Sequence, residues 1–252
     1  MPIGHAFIEL ESVDSTNNYA MAGATAGALS HGTLVFAHDQ WAGKGQRGRT
    51  WTSQPGENII LSAVIEPVAL PSTAGFPLSV AIALACHDLF SRYAGNESTS
   101  IKWPNDLYWN DRKAGGILIE NHFKADQWLY AIAGMGMNIN QVAFPPEARN
   151  PVSLRQITGK TFDSLQLARE LGAFLDKRYT ELVTGGTTPQ LQQYNDRLYA
   201  RGREVRLKKE NAVFSTTVQA VTADGQLATK DVLERHFNFG EIEWIMEAPS
   251  RP

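Results

Sequence analysis

Hydrophobic and polar positions fall into two textures along the chain. Up to about residue 200, short β-type runs alternate with longer helical ones, and beyond that point short strands follow one another. Residues 7–10 alternate weakly and read as a first strand. Asp14-Ser15-Thr16-Asn17 supplies N-cap residues for a helix over 18–24. Residues 34–37 form a short strand and 58–65 a β-rich central one. Residues 71–95 hold a long buried helix, with Pro77 in its first turn and Gly95 at its C-cap. A strand over 101–103 leads into the turn Pro104-Asn105-Asp106. A hairpin then joins 107–109 to 113–120.

Gly115-Gly116 inside the second arm of that hairpin implies a close approach to the backbone. In the strand that starts at residue 129, alternation puts Gly134, Gly136, Asn138 and Asn140 on one face. Such a face is a poor core and a good floor for a flat polar ligand. Residues 164–183 form an amphipathic helix that turns Ala168, Leu171, Phe174, Leu175 and Leu182 inward, and Pro189 starts a shorter one to about Ala200. Strands over 204–207, 213–221, 226–229 and 242–246, with Asp224-Gly225 as a hairpin turn, read as a small β-barrel. The cations at its start, Arg201, Arg203, Arg206, Lys208 and Lys209, read as protection of an exposed strand edge. The fold class expected is α+β: a mixed central sheet flanked by helices over 1–200, and the barrel over 201–252.

Chemistry concentrates between His38 and Trp51. Gly43, Gly45 and Gly48 alternate with Lys44, Arg47 and Arg49, and no acid lies between Asp39 and Glu57. Glycine lets backbone N–H groups approach a ligand, and interleaved cations make a concavity for phosphate oxygens. Little apolar surface holds the stretch down, so it is expected to be mobile when empty and ordered by an anion. The alternative is a solvated basic loop. Gly43-x-Gly45-x-x-Gly48 matches the dinucleotide fingerprint as a string, and Gly43-x4-Gly48-Arg49-Thr50 comes within one residue of a P-loop. Both need a helix directly after the loop. The turn sequence with Pro55-Gly56 that follows excludes both.

Composition limits the rest. The 252 residues carry a net charge of −3, so the basic loop is local and a general nucleic-acid binder is disfavoured. The single cysteine, Cys86, sits in an apolar helical run where a buried inert thiol is expected. Six scattered histidines show no zinc spacing, and no zinc site is expected. With no signal peptide or bilayer-length apolar run, a cytoplasmic protein is expected. Cations, one acid in a turn (Asp106), a lysine beside Gly-Gly (Lys113) and amides, with no evident nucleophile, suit adenylyl or phosphoryl transfer by positioning and charge stabilisation.

Asp14-Ser-Thr-Asn, Gly43-Lys-Gly-Gln-Arg-Gly-Arg-Thr-Trp51, Lys102-Trp-Pro-Asn-Asp-Leu107, Lys113-x-x-Gly-Ile-Leu118 and Gly134-x-Gly-x-Asn-x-Asn140 occur in the order seen in biotin–protein ligases. The chain resembles that family over its whole length, in the shorter class that lacks an N-terminal winged helix. The resemblance implies an SH3-like C-terminal barrel, no DNA or membrane partner, and a monomer or homodimer. It implies activation of biotin with ATP and Mg²⁺ to biotinyl-5′-AMP, then transfer to a lysine of a biotin carboxyl carrier domain. It also assigns roles. Lys113 would touch both the biotin carboxylate and the phosphate, and Arg47 and Arg49 would act in catalysis and hold phosphates with Lys44. Ser15, Thr16 and Gln40 would bind the ureido ring, with Gly43, Lys44, Gly116 and Gly134 around the bicycle. Trp51 would stack on adenine, Asp106 would hold Mg²⁺, and Asn105 and Asn138 would lie on the ATP side. Trp41, Trp103 and Asn105 also read as packing and turn residues. A lipoate or octanoate ligase of the same superfamily and a non-catalytic nucleotide- or RNA-binding protein are the rival readings.

Many relatives carry Arg where this chain has Lys44 and Gln46. Lysine keeps the charge without the bidentate fork, and glutamine loses the charge. A looser hold on the adenylate is expected, and Gln46→Arg is expected to slow its release. Equal release rates from the two proteins would remove the idea.

Overall fold

The computed structural model describes residues 1–246 apart from Ser72 and Arg149. Its strands are β1 (Ala6–Val13), β2 (Thr33–Gln40), β3 (Ile59–Ile65), β4 (Thr99–Lys102), β5 (Asp106–Trp109), β6 (Arg112–Lys124) and β7 (Gln127–Met137), then β8 (Glu204–Lys209), β9 (Ala212–Val221), β10 (Leu227–Lys230), β11 (Glu234–Phe237) and β12 (Glu243–Ile245). The helices are α1 (Thr16–Thr25), α2 (Gly75–Ala94), α3 (Leu154–Thr158), α4 (Ser164–Gly185) and α5 (Thr187–Asp196). The first seven strands form one mixed sheet in the order β1-β2-β3-β7-β6-β5-β4. β1 and β2 run parallel, and the other neighbours are antiparallel.

The two faces of this sheet are covered unequally. Leu34, Phe36, Leu61, Ala63, Ala131 and Ala133 face the main core beneath α2 and α4. Val35, Val64 and Ile132 face the other way and meet Ala20 of α1. Residues opposite one another in register share a face, so Ser62 and Gly134, and then Gly116 and Gly136, continue the α1 side. α1 has 10 residues and covers part of this face. The rest is left for the glycine-rich loop.

β3 is buried along its whole length, as expected for a central strand. α2 ends at Gly95, whose φ of 91° few other residues adopt. Cys86 lies buried in α2, where desolvation pushes its thiol up to about 12. Arg178 of α4 is buried and donates to Asp88 Oδ2 at 2.7 Å and to Glu181 Oε2 at 2.9 Å. Burial works to raise the Asp88 carboxyl, but hydrogen bonds from His87 and Arg178 outweigh it and hold the group below its ordinary value.

The C-terminal part is consistent with the expected SH3-like domain: its five strands form an antiparallel sheet in the order β11-β10-β9-β8-β12, with no closure between β11 and β12 among the described residues. Two details of it differ from expectation. β11 was not expected, because three of its four residues are exposed and polar. β8 lies between β9 and β12, so its cations guard no edge. Arg201 instead pairs with Asp196, Lys209 lies 3.7 Å from Glu241, and Arg203 lies over the Tyr199 ring. The Asp224-Gly225 turn joins β9 to β10 as expected.

Arg178→Met would leave Asp88 a part-buried carboxylate without its cation. Denaturant titration is expected to show a loss of about 3 kcal/mol. The depressed Asp88 carboxyl contributes fully above its ordinary value of 3.8 and loses that contribution as pH falls through its lower folded value. Asp88→Asn is therefore expected to flatten the acid limb of the stability curve.

Candidate functional site

The basic stretch folds back on itself as a short finger. Trp51 N–H donates to the Gly43 carbonyl at 2.9 Å and Gly45 N–H to the Arg49 carbonyl at 2.7 Å. Lys44 bridges Thr50 between them. The tip, Gln46–Gly48, is a single 3-10 turn with Arg47 at φ 58°. No helix follows it, in keeping with the rejection of both phosphate-loop motifs. A Cβ at Gly43 would collide with the Trp51 carbonyl oxygen and with Gln40 Nε2, so this glycine is required where the finger meets β2. Lys44 Nζ donates to Asn18 Oδ1, and the guanidinium of Arg47 lies close to Gly240 of the C-terminal sheet. Arg47 and Arg49 are exposed.

Under the finger runs a row of directly paired residues: Asp106 on β5, Gly116 on β6 and Gly136 on β7. The Trp51 indole lies on its two glycines. A Cβ at Gly116 would sit 3.4 Å from Trp51 Cζ3, and one at Gly136 would lie 2.6 Å from Cζ2. Lys113 Nζ is 5.9 Å from the indole centroid and 2.7 Å from Asp106 Oδ1. Both charged side chains remain partly exposed. The structure thus brings Trp51, Asp106, Lys113 and the two glycines into one corner. Trp51 Nε1 is a buried donor without an acceptor, Gln46 Oε1 a buried acceptor without a donor, and Ser53 Oγ in the same segment has no partner either. A buried polar atom without a partner costs about 1–3 kcal/mol.

A second group of polar side chains gathers at the start of α1. Ser15 occupies the N-cap position, yet its hydroxyl makes no capping bond, so capping does not explain it. Gln40 Oε1 accepts from Thr16 N–H at 2.9 Å. Ser62 Oγ lies 2.8 Å from Thr16 Oγ1 and 2.6 Å from Asn17 Oδ1. Asn17 Nδ2 donates to Glu120 Oε2 at 2.7 Å. The sequence reading placed Asn17 in the polar group at the start of α1 without giving it a partner, and it did not single out Ser62. The signal for Ser62 was a lone hydroxyl in an otherwise apolar central strand. Asn17 stands in the Asp14–Asn17 tetrad, whose hydroxyls and amides can cap a helix or face a ligand.

Other expectations change. The space over Gly134 is not open, because a Cβ there would run into the Asn17 amide. The space over Gly116 is bordered at ordinary contact distance by Trp51, Lys113 Nζ and Asp106 Oδ1. β7 ends at Met137, so Asn138 and Asn140 leave the glycine face. Asn138 is buried, and its Nδ2 lies 3.3 Å from the Lys113 carbonyl and 3.2 Å from that of Val152. It holds the backbone that carries Lys113. Asn105 clamps its turn to β6, donating to the Ile117 carbonyl at 2.7 Å and accepting from Ile117 N–H at 2.9 Å. Trp103 is packed as expected, with Nε1 donating to the Gly225 carbonyl at 3.0 Å. Trp41 is not a packing residue, being 73% exposed.

The arrangement can therefore hold a planar ring against Trp51, an anion between Lys113 and the finger cations, and a polar head group near Thr16 and Gln40. Residues 9–138 match the Biotin/lipoate A/B protein ligase family. The chain is 31% identical over 229 residues to the Bifunctional ligase/repressor BirA of Bacillus spizizenii, covering 89% of this chain and 69% of that one. It is 32% identical to the Biotin--[acetyl-CoA-carboxylase] ligase of Paracoccus denitrificans, over 71% of this chain and 75% of that one. It spans 41% to 69% of the length of the bifunctional ligase/repressors it matches. The fold matches that of a biotin protein ligase from Aquifex aeolicus in complex with biotin and ATP. There the TM-score is 0.80 and the identity 23%, over 96% of this chain and 100% of that one.

Asn138→Ala removes a buried donor from the Val152 carbonyl. The unfolding free energy is expected to fall by about 1–3 kcal/mol, read from denaturant midpoints at constant m-value.

Proposed function

The chain belongs to the biotin/lipoate A/B protein ligase family, and we propose that it is a biotin–protein ligase. It activates biotin with ATP to biotinyl-5′-AMP and transfers biotin to a lysine of a biotin carboxyl carrier domain. The observation that carries this reading is Lys113, held against Asp106 at 2.7 Å beside the Trp51 indole and beneath a finger of cations.

In the first step a biotin carboxylate oxygen attacks the α-phosphorus of ATP, and the bond to the bridging oxygen of the leaving pyrophosphate breaks. Two anions must meet, so the chief task of the site is to lower their repulsion. Lys113 can donate to the carboxylate and to an α-phosphate oxygen together. A charge-assisted hydrogen bond of this kind contributes roughly 1.5–3 kcal/mol. It contributes more to rate if it strengthens as charge develops. Lys44, Arg47 and Arg49 hold the phosphates from the finger, and the outer face of Trp51 takes the adenine. In the second step the acceptor lysine amine attacks the acyl carbon and AMP leaves, so AMP needs no nucleophile from this protein.

Thr16, Gln40 and Ser15 take the ureido head. Their buried amide and hydroxyl chemistry suits a polar ring better than a linear acyl chain, which sets the lipoate reading behind. Asp106 is one partly exposed carboxylate beside Lys113. That donor set fits Mg²⁺, which binds through one or two carboxylates together with substrate phosphates. Such an ion would neutralise phosphate charge there. Residues 1–200 form the catalytic unit in this reading, with the second sheet appended from residue 201. Among the described residues no helix is long and apolar enough to cross a membrane.

Biotin-dependent release of pyrophosphate from ATP tests the reading directly. Lys113→Ala is expected to cut that rate at least about tenfold, the effect of about 1.4 kcal/mol in the barrier. Unchanged activity would refute the role given to Lys113, and no biotin dependence would refute the function.

A further inference from the structure

Gly136 stands in the middle of the sheet without a conformational reason to be glycine. Its φ lies outside the left-handed region, unlike that of Gly95 or Gly225. Glycine in a strand interior weakens the strand unless something approaches the backbone closely. Here the approaching group is a side chain of the protein itself. The three heavy atoms nearest to a Cβ built at Gly136 all belong to Trp51: it would overlap Cε2 and lie 2.6 Å from Cζ2 and 2.8 Å from Nε1. The cross-strand partner Gly116 would meet the far edge of the same ring, at Cζ3. The Nε1–Cε2–Cζ2 edge of the indole therefore rests over β7, and Cζ3 of its six-membered ring reaches over β6.

We propose that Gly136, with Gly116 beside it, is a positioning residue: the two glycines are the seat of the Trp51 indole, and through it Gly136 sets the affinity for ATP. The proposal rests on the reading above that the outer face of Trp51 takes the adenine. The seat fixes the height of the ring over the sheet. The Trp51 N–H bond to the Gly43 carbonyl fixes where the finger delivers it. The next residue along the row is Asp106, ion-paired with Lys113. One flat patch thus keeps the base platform in register with the groups that meet the phosphates. The buried Nε1 without an acceptor fits a ring pressed onto its support rather than left loose in solvent. An indole is rigid and cannot yield to a methyl group as a flexible side chain would, so Gly136→Ala must lift it.

The test compares the full-length protein with Gly136→Ala, Trp51→Ala and the double variant in biotin-dependent pyrophosphate release. Gly136→Ala is expected to raise KM for ATP by about tenfold while KM for biotin stays within about twofold. Trp51→Ala is expected to do the same, and the double variant to be no worse than Trp51→Ala, because the methyl group then has nothing to displace. For the same reason the double variant is expected to melt with Trp51→Ala and above Gly136→Ala. A folded Gly136→Ala with an unchanged KM for ATP would overturn the proposal, as would effects that multiply in the double variant. Should Gly136→Ala fail to fold, recovery of folding in the double variant supports the seat, and its failure overturns it. If Trp51→Ala leaves KM for ATP unchanged, the adenine role of Trp51 falls and takes the proposal with it, while biotin-dependent activity still marks the ligase.

Discussion

Close contact between side chains and bare backbone at the centre of the sheet organises this molecule. Three glycines on the α1 face remove the side chains that would otherwise stand between α1 and the finger. Into that space come the protein's own groups: Trp51 over Gly116 and Gly136, and Asn17 against Gly134. The opposite face of the same strands is packed beneath α2 and α4. A rigid, close-packed core on one side thus supports a thin surface on the other. Side chains there are held by contact and hydrogen bonds, and Thr16, Asn17 and Ser62 at the start of α1 are buried as well.

The charges follow from the chemistry of two anions. Asp106 and Lys113 face each other across the hairpin of β5 and β6, and the pairing keeps the lysine near the row of glycines. The finger cations stand off in solvent, where their charge costs little until phosphate arrives. A partly exposed pair of this kind adds little to stability. The Asp88–Arg178 pair beneath the other face is far less exposed, at 15% and 6%, and ties α2 to α4.

The architecture of the first 200 residues was legible because long periodic runs leave few alternatives. α2 and α4 follow their apolar spacing, and β3 its apolar run broken only by Ser62. Alternation misled where a strand stopped: the pattern carried Asn138 onto the glycine face, but β7 ends at Met137 and the asparagine turns in to hold a carbonyl. β11 escaped notice because Glu234-Arg235-His236 gives no apolar alternation. The cations of β8 were assigned to an edge because strand order depends on β12, which lies far along the chain. The site motifs were legible as residue types. What fills the room above a glycine was not, since the sequence says that a Cβ is missing and not which distant ring takes its place.

The Trp103–Gly225 hydrogen bond has a consequence for how the chain can be divided. Trp103 precedes the turn that presents Asp106, and its N–H is answered by a carbonyl from the appended sheet. Gly225 also lies directly over Phe76 at the start of α2. Cutting the chain near residue 200 would therefore strip a hydrogen-bond acceptor from the support of the reactive turn and leave an aromatic ring bare to water. The small lobe behaves as a buttress, and the larger lobe on its own would be a wall with its brace removed.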